Sequence, residues 1–213
     1  MNKVYTYFDP ISVKDVQSQL EMIVHWKRSW AKQGWDVGVI NKETARKHPF
    51  FWEFHQRVDA LPTVNPKDYE LSCYYRWLAM AVVGGGFMSD YDVVNYGFTP
   101  RNPPGDLVIY ESNWDTGQIT PSVVGGTQYG FMNACMAFAL SDPKDIMGEY
   151  QGRDHTSDMI AMQRVAGKNI YVDPPIVAQY GAENWQEADL VHYAHSVTHN
   201  TDRVACMRTA RPI

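Results

Sequence analysis

Asp90-Tyr91-Asp92 is the part of this sequence whose residue types and spacing point most directly to chemistry. In an extended segment, residues i and i+2 face the same side. Both carboxylates would then converge at the C-terminal end of a strand, the edge at which α/β sheets bind ligands. Two oxygen donors on a short arm suit a hard divalent cation, Mg²⁺ or Mn²⁺, which keeps open positions for substrate phosphates. The competing reading is a solvated acidic turn, because so short a pattern also arises by chance. Arg76, Asp154, Ser157, Asp158 and the trio His192, His195 and His199 are further candidates. Arg76 reads either as a phosphate or sugar contact or as a helix arginine paired with Glu70 or another carboxylate. Asp154 and Ser157 are both suited to capping the helix that follows them. The histidine segment reads either as titratable surface or as a source of metal ligands, but no Cys or His partner lies at zinc spacing.

The elements that must position these residues are legible in outline. Val4 to Phe8 is β-branched and aromatic and ends at Asp9-Pro10, which predicts a first strand and a turn. Ser12 is a cap for a helix running to about Ala31, with Val16, Leu20, Ile23 or Val24, and Lys27 at helical spacing. Trp35 to Ile40 is a second strand, so the opening is a parallel βαβ unit. An aromatic helix is expected at 50–55. A second helix starts near Pro66 with Leu71, Tyr75, Leu78 and Val82 on one stripe, and it is apolar nearly all round, hence buried. Gly84-Gly85-Gly86 breaks it, and Phe87 to Val94 reads as a short strand leading into a loop. Leu107 to Glu111 and Asn169 to Val172 read as strands, and Asn133 to Leu140 and Ser157 to Ala166 as helices. Gly125 to Gly130 lacks the Walker pattern and reads as a turn or a backbone approach to a ligand.

The string from Tyr75 to Val93 carries a resemblance. An Arg in a buried helix (Arg76), a Gly-Gly turn (Gly84-Gly85), an aromatic (Phe87) and Asp90-x-Asp92 resemble the signature of GT-A-fold glycosyltransferases, and in size and style the chain resembles small viral (chlorovirus) glycosyltransferase domains. Weaker similarity extends to the first strand and to 26–49. The departures are the third glycine, Gly86, and Met88 in place of a small or aliphatic residue. The resemblance implies an α/β, GT-A-like single domain over 1–213, with a Rossmann-like, mostly parallel central sheet flanked by helices and a mixed C-terminal half. Residues 1–100 would bind the nucleotide-sugar and 101–213 the acceptor. It implies a metal-dependent transfer of a hexose-type sugar from a nucleotide-sugar donor, a UDP-sugar, to a glycan acceptor, with retention of configuration.

The same resemblance distributes roles. Asp92 is the direct ligand of Mn²⁺ or Mg²⁺, and Asp90 holds sugar or ribose hydroxyls or reaches the metal through water. His192, followed by an aromatic near the chain end, supplies a third ligand, ranked above His195 and His199; imidazole beside two carboxylates favours Mn²⁺. Thr6, Tyr7, Phe8 and Tyr91 cradle the nucleotide. Asp158 or Asp154 presents a carboxylate to the donor sugar, and Arg76 reaches the sugar or phosphate. Tyr129, Trp185 and His195, with Trp114, are offered as acceptor contacts, each weighed against ordinary packing.

Composition bounds these readings. With 19 basic against 24 acidic residues in 213, the net charge is −5, which disfavours nucleic acid, whose phosphate backbone is held by Lys and Arg. The longest apolar run, Trp77 to Val83, is far short of a bilayer span. The N-terminus has no signal-peptide core, and the three widely spaced cysteines read as reduced thiols. Together these predict a cytoplasmic protein, in the host cytoplasm for a viral one. The tail from Arg208 to Ile213 shows no terminal structure of its own, as in one domain of a longer chain. Two other functions fit the aspartates or the aromatics: a pyrophosphohydrolase or nucleotidyltransferase, and a non-catalytic carbohydrate-binding domain.

Overall fold

The computed structural model describes residues 2–11, 15–113, 118–165, 176–194 and 202–213. Its centre is a five-stranded sheet in the order β2-β1-β3-β6-β5, with β1 at Lys3–Tyr7, β2 at Asp36–Ile40, β3 at Gly85–Ser89, β5 at Leu107–Asn113 and β6 at Gln118–Thr127. β1 pairs parallel to both β2 and β3, whereas β6 runs antiparallel to β3 and β5. The α/β class and the opening βαβ unit hold. The mostly parallel sheet does not, because half of its pairings are antiparallel.

Both faces of this sheet are covered, and the strands alternate between them as a two-residue period requires. Val4, Phe87, Val108, Tyr110 and Val123 pack on one side with Trp26, Trp30, Trp35 and Phe98. Met88, Ile109 and Val124 pack on the other with Phe51, Phe54, Trp77, Phe131 and Phe138. Helix α1 (Val16–Lys32) covers the first face; α3 (Phe51–Asp59), α4 (Lys67–Val82) and α5 (Gln128–Leu140) supply the second. The short α2 (Lys42–Ala45) follows β2. Trp26, Trp30 and Trp77 are fully buried, and each removes roughly 150–250 Å² from water.

Two expectations for α1 fail. Its cap is Asp15, whose carboxylate accepts from the Gln17 and Ser18 amides, and Ser12 lies outside the described residues. The inward face is Gln19, Met22, Ile23, Trp26, Ser29 and Trp30, while Val16, Leu20 and Val24 face solvent. The polar members of that face are buried because they have partners: Gln19 Oε1 accepts from the Tyr91 hydroxyl and Ser29 Oγ from the Asn95 amide.

Helix α4 begins after Pro66, as expected, and Tyr74 to Ala81 are all buried. The turn out of it explains the third glycine. Gly84, Gly85 and Gly86 have φ of +89°, +82° and +113°, a region that side-chain-bearing residues rarely enter. The chain thus reverses abruptly from α4 into β3. The stretch 125–130 is not a loop: Gly125 and Gly126 lie inside β6, and a Cβ on Gly125 would come within 2.9 Å of the Phe87 ring.

A smaller three-stranded sheet, β4-β10-β9, returns the C-terminal part of the chain to the central sheet. Its strands are β4 (Val93–Asn95), β9 (Val177–Gln179) and β10 (Leu190–His192). The hairpin β7 (Gly148–Tyr150) and β8 (Arg153–His155) is preceded by α6 (Pro143–Ile146) and followed by α7 (Asp158–Val165); α8 (Arg203–Thr209) is the last helix. Ile213 packs against the cluster containing Tyr193 and Met207, so the final residues are part of the fold. The strand expected at 169–172 lies outside the described residues. Among the described residues, no helix is long and apolar enough to cross a membrane.

Candidate active site

Strand β3 ends at Ser89, and the chain turns at once. The Val93 amide donates to the Asp90 carbonyl at 3.1 Å, closing a four-residue turn around Tyr91-Asp92. The aspartates therefore converge through a turn rather than through the pleat of an extended strand. The turn is fixed from three sides. The Asp90 amide donates to the Ser122 carbonyl at 2.7 Å, Ser89 Oγ donates to the Asp90 carbonyl at 3.0 Å, and Trp26 Nε1 donates to Ser89 Oγ at 3.2 Å.

The third ligand arrives through sheet pairing. β10 runs antiparallel to β4 with His192 opposite Val93, and the Tyr193 amide donates to the Asp92 carbonyl at 2.9 Å. His192 Nε2 then lies 3.5 Å from Asp92 Oδ1. Ligand atoms of Asp90, Asp92 and His192 all fall within 4.8 Å of one another, so this cluster could hold a metal ion. Two carboxylates and one imidazole form a mixed O/N set suited to Mn²⁺ or Mg²⁺. His195 and His199 lie outside the described residues.

Two residues that the sequence reading did not single out complete the cluster. Glu111, on β5, places Oε2 2.8 Å from His192 Nδ1 and is itself anchored by the Ser122 hydroxyl and, at 3.2 Å, by Gln179 Nε2. A carboxylate behind a histidine fixes the ring so that its other nitrogen faces the ligand site. Burial alone would depress the His192 pKa, but Glu111 and then Asp92 outweigh it and hold the imidazole well above its ordinary value. Arg203, the first residue of α8, donates from Nη1 to Asp92 Oδ2 at 2.8 Å. Glu111→Gln is expected to weaken Mn²⁺ binding by roughly 10–100-fold with the fold retained; titration calorimetry checks it, and an unchanged affinity would remove Glu111 from the site.

Arg76 is saturated by carboxylates. Its Nε and Nη2 donate to Asp158 Oδ2 at 3.0 and 2.6 Å, and Nη1 donates to Asp90 Oδ1 at 2.6 Å. Trp77 Nε1 also donates to Asp158 Oδ2, at 2.9 Å. The partners of Arg76 are therefore Asp158 and Asp90, not Glu70, and its role in this arrangement is to hold both carboxylates in place. Burial raises the Asp90 pKa, opposed by Arg76 and aided by the charge of Asp92; a bound cation would act against that rise.

Arg76, Asp90, Asp92, Asp158, His192 and Arg203 line one cavity of about 1050 Å³, as large as the largest ordinary small-molecule sites of roughly 300–1,000 Å³. Tyr7, Phe8, Ile11, Gln19 and Tyr91 form one wall, with the Phe8 and Tyr91 rings edge to face at 6.4 Å. Asn65, just before α4, with Tyr69, Glu70 and Arg76 on it, forms a second, and Tyr150, His155 and Asp158 a third.

Several candidates fall outside it. Thr6 is fully buried on the opposite side of β1 from its neighbours Tyr5 and Tyr7 and does not line the cavity. Asp154 is exposed in the β7–β8 hairpin, and Ser157, not Asp154, caps α7, its hydroxyl accepting from the Ile160 amide at 3.2 Å. Tyr129 starts α5 just beyond Thr127, which pairs with Gly85 at the start of β3; it sits at the far end of the sheet from Asp90. Trp185 packs against Tyr180 with centroids 4.8 Å apart, away from the cavity lining. Trp114 lies outside the described residues.

Glu70 titrates unusually. Burial, opposed chiefly by the Asn65 hydrogen bond, raises its pKa from 4.5 to about 7. A carboxyl whose folded pKa is raised favours folding while it is protonated. Its contribution is complete below pH 4.5 and is lost as pH rises through 7. That loss is expected to be on the order of 3 kcal/mol, the equivalent of a rise from 4.5 to about 7. Glu70→Gln should remove this share of the pH dependence in calorimetric unfolding between pH 4.5 and 7; a profile parallel to the wild type would contradict it.

In comparison with known families, residues 1–101 fit a family model described as a domain of unknown function (DUF8765). No curated protein matches the chain. The matched span includes Arg76, Asp90 and Asp92 and ends before Glu111, Asp158, His192 and Arg203.

Proposed function

We propose that the chain is a metal-dependent glycosyltransferase of the GT-A type, acting on a nucleotide-sugar, with UDP as the expected nucleotide. The observation that carries this reading is the convergence of Asp90, Asp92 and His192, from segments 100 residues apart, on one large cavity. Held by these residues, Mn²⁺ or Mg²⁺ would supply positive charge to the diphosphate of the donor and stabilise it as it leaves. Around that centre the chain's own residues do the rest. Glu111 fixes the His192 ring. Arg76 holds Asp90 and Asp158 apart and oriented, placing the Asp158 carboxylate on the cavity wall where donor hydroxyls would lie. Arg203, paired with Asp92 on the cavity lining, would be free to exchange its carboxylate for a phosphate oxygen of the donor. Tyr7, Phe8 and Tyr91 offer the aromatic wall for the base, and Asp9, which accepts from the Tyr7 hydroxyl, stiffens it.

A thermal-shift panel tests this reading, with UDP, GDP, dTDP and CMP each combined with Mn²⁺, Mg²⁺ or chelator. A ligand bound only to the native state adds about 2.7 kcal/mol at a hundred times its Kd. The expected result is a shift for one nucleotide that requires the metal. A folded sample that responds to none of them would reduce Asp90-Tyr91-Asp92 to an acidic turn.

A further inference from the structure

The cavity holds a second polar group that the metal centre does not use. Glu70 lies six residues before Arg76 on α4, about 9 Å along the helix axis at 1.5 Å per residue. It is 3% exposed, yet it lines the cavity. Asn65 Nδ2 donates to its Oε1 at 2.6 Å, while Oε2 has no hydrogen-bond partner in the protein. A buried carboxyl oxygen left unpaired costs free energy, and folds rarely keep one without a use. The loop before α4 ties this carboxyl to a histidine. The Asn65 amide donates to Thr63 Oγ1 at 3.1 Å, and Thr63 Oγ1 and the Val64 amide both meet His155 Nδ1 at 3.3 Å. Because Nδ1 accepts from a backbone amide, the ring proton sits on Nε2, and burial lowers the His155 pKa and favours that neutral form. The Tyr150 ring stands beside His155 with centroids 5.9 Å apart and is half exposed. A carboxyl acceptor, a neutral imidazole donor and an open aromatic face are the groups that recognise a pyranose: hydroxyls on its rim, C–H groups on its face.

We propose that Glu70, His155 and Tyr150 form the acceptor subsite of this cavity, taking a pyranose whose hydroxyl hydrogen-bonds Glu70 Oε2 and whose ring lies against Tyr150. The assignment deepens the transferase reading and rests on it for the word acceptor, although the sugar-binding chemistry stands by itself. It replaces Tyr129 and Trp185, which the fold turns away from the cavity. The volume leaves room for a donor at the aspartates and a second sugar along α4.

The test uses the full chain with Mn²⁺ and UDP present, and methyl glucoside, galactoside and mannoside at millimolar concentration as probes, read by saturation-transfer NMR. At least one glycoside is expected to bind. Glu70→Ala should weaken it by roughly 10–100-fold, the effect of losing a hydrogen bond to a charged group, and Glu70→Gln by less. Tyr150→Ala should weaken it as well, and UDP–Mn²⁺ affinity should stay within about twofold in all three variants. Should Glu70→Ala fail to fold, the isosteric Glu70→Gln and the surface change Tyr150→Ala carry the comparison. Glycoside binding unchanged in these variants would overturn the subsite, as would the absence of any glycoside signal from a wild type that binds UDP–Mn²⁺. Glu70-dependent glycoside binding without any nucleotide response would keep the subsite and refute the transferase.

Discussion

Asp92→Asn is expected to abolish turnover and to weaken metal-dependent nucleotide binding by more than about a hundredfold, while the protein stays folded. Asp92 is the carboxylate of the cluster that faces both His192 and Arg203. One oxygen faces His192 Nε2 at 3.5 Å and the other takes Arg203 Nη1 at 2.8 Å. An amide of the same shape keeps an acceptor for Arg203 but brings no charge to a cation. Changing groups that merely support metal ligands already costs 10–100-fold in affinity, so removing an anionic ligand should cost more. The fold should lose only roughly 1–3 kcal/mol, the value of a charge-assisted hydrogen bond. His192 keeps Glu111, and the turn keeps its backbone bonds to Ser122 and Tyr193. Titration calorimetry with Mn²⁺ and UDP, beside urea denaturation, separates the two effects. Wild-type turnover in Asp92→Asn would end the metal reading.

Arg76→Met should act in the opposite way, chiefly on stability. The Arg76 side chain is 10% exposed and its partner Asp158 5%. Without the guanidinium, Asp158 Oδ2 retains only the Trp77 indole, and Asp90 loses its nearest counter-charge. Removing one partner of a buried ion pair costs about 3–5 kcal/mol because the other charge is stranded. For a chain of this size the melting temperature should fall by roughly 6–20 °C, at about 2–4 °C per kcal/mol. Arg76→Lys should recover little, since one ammonium cannot reproduce a fork that spans two carboxylates. The double change Arg76→Met with Asp158→Leu should be more stable than Arg76→Met alone, because Asp158 is then no longer a buried carboxylate without its cation. A loss below about 1 kcal/mol in Arg76→Met would show that Asp158 finds other compensation.

What the sequence revealed and what it hid have separate physical causes. Arg76, Asp90, Asp92 and Asp158 were visible because they lie in or beside strongly patterned elements: a helix apolar all round, a glycine turn, a helix start. His192 was visible because histidines cluster near it. Glu111 and Arg203 were not, since a lone carboxylate on a strand or a lone arginine at a helix start carries no periodic signal. They join the site only through β4–β10 pairing and the docking of α8. The sequence offers Glu70 or another carboxylate as the partner of Arg76, and the structure supplies two others, Asp158 and Asp90. The inward face of α1 was misjudged for a related reason. Three aliphatics at helical spacing outscored Gln19 and Ser29, whose burial depends on Tyr91 and Asn95 more than 60 positions away. The resemblance to GT-A enzymes supplied the roles, while the mixed sheet order had to come from strand pairing.

The return of β10 onto β4 also has a consequence for how the protein is made. During vectorial synthesis the Asp90 turn leaves the ribosome long before His192, which lies 100 positions later. At roughly 5–20 residues per second, about 5–20 s separate the two. Through that interval the nascent chain carries two aspartates with neither the imidazole nor, further on still, the Arg203 guanidinium. The turn meets them only once those later segments have emerged and folded back onto it. The aspartate turn is thus made early but becomes part of a charge cluster only after β10 and α8 have been synthesised and have packed against it.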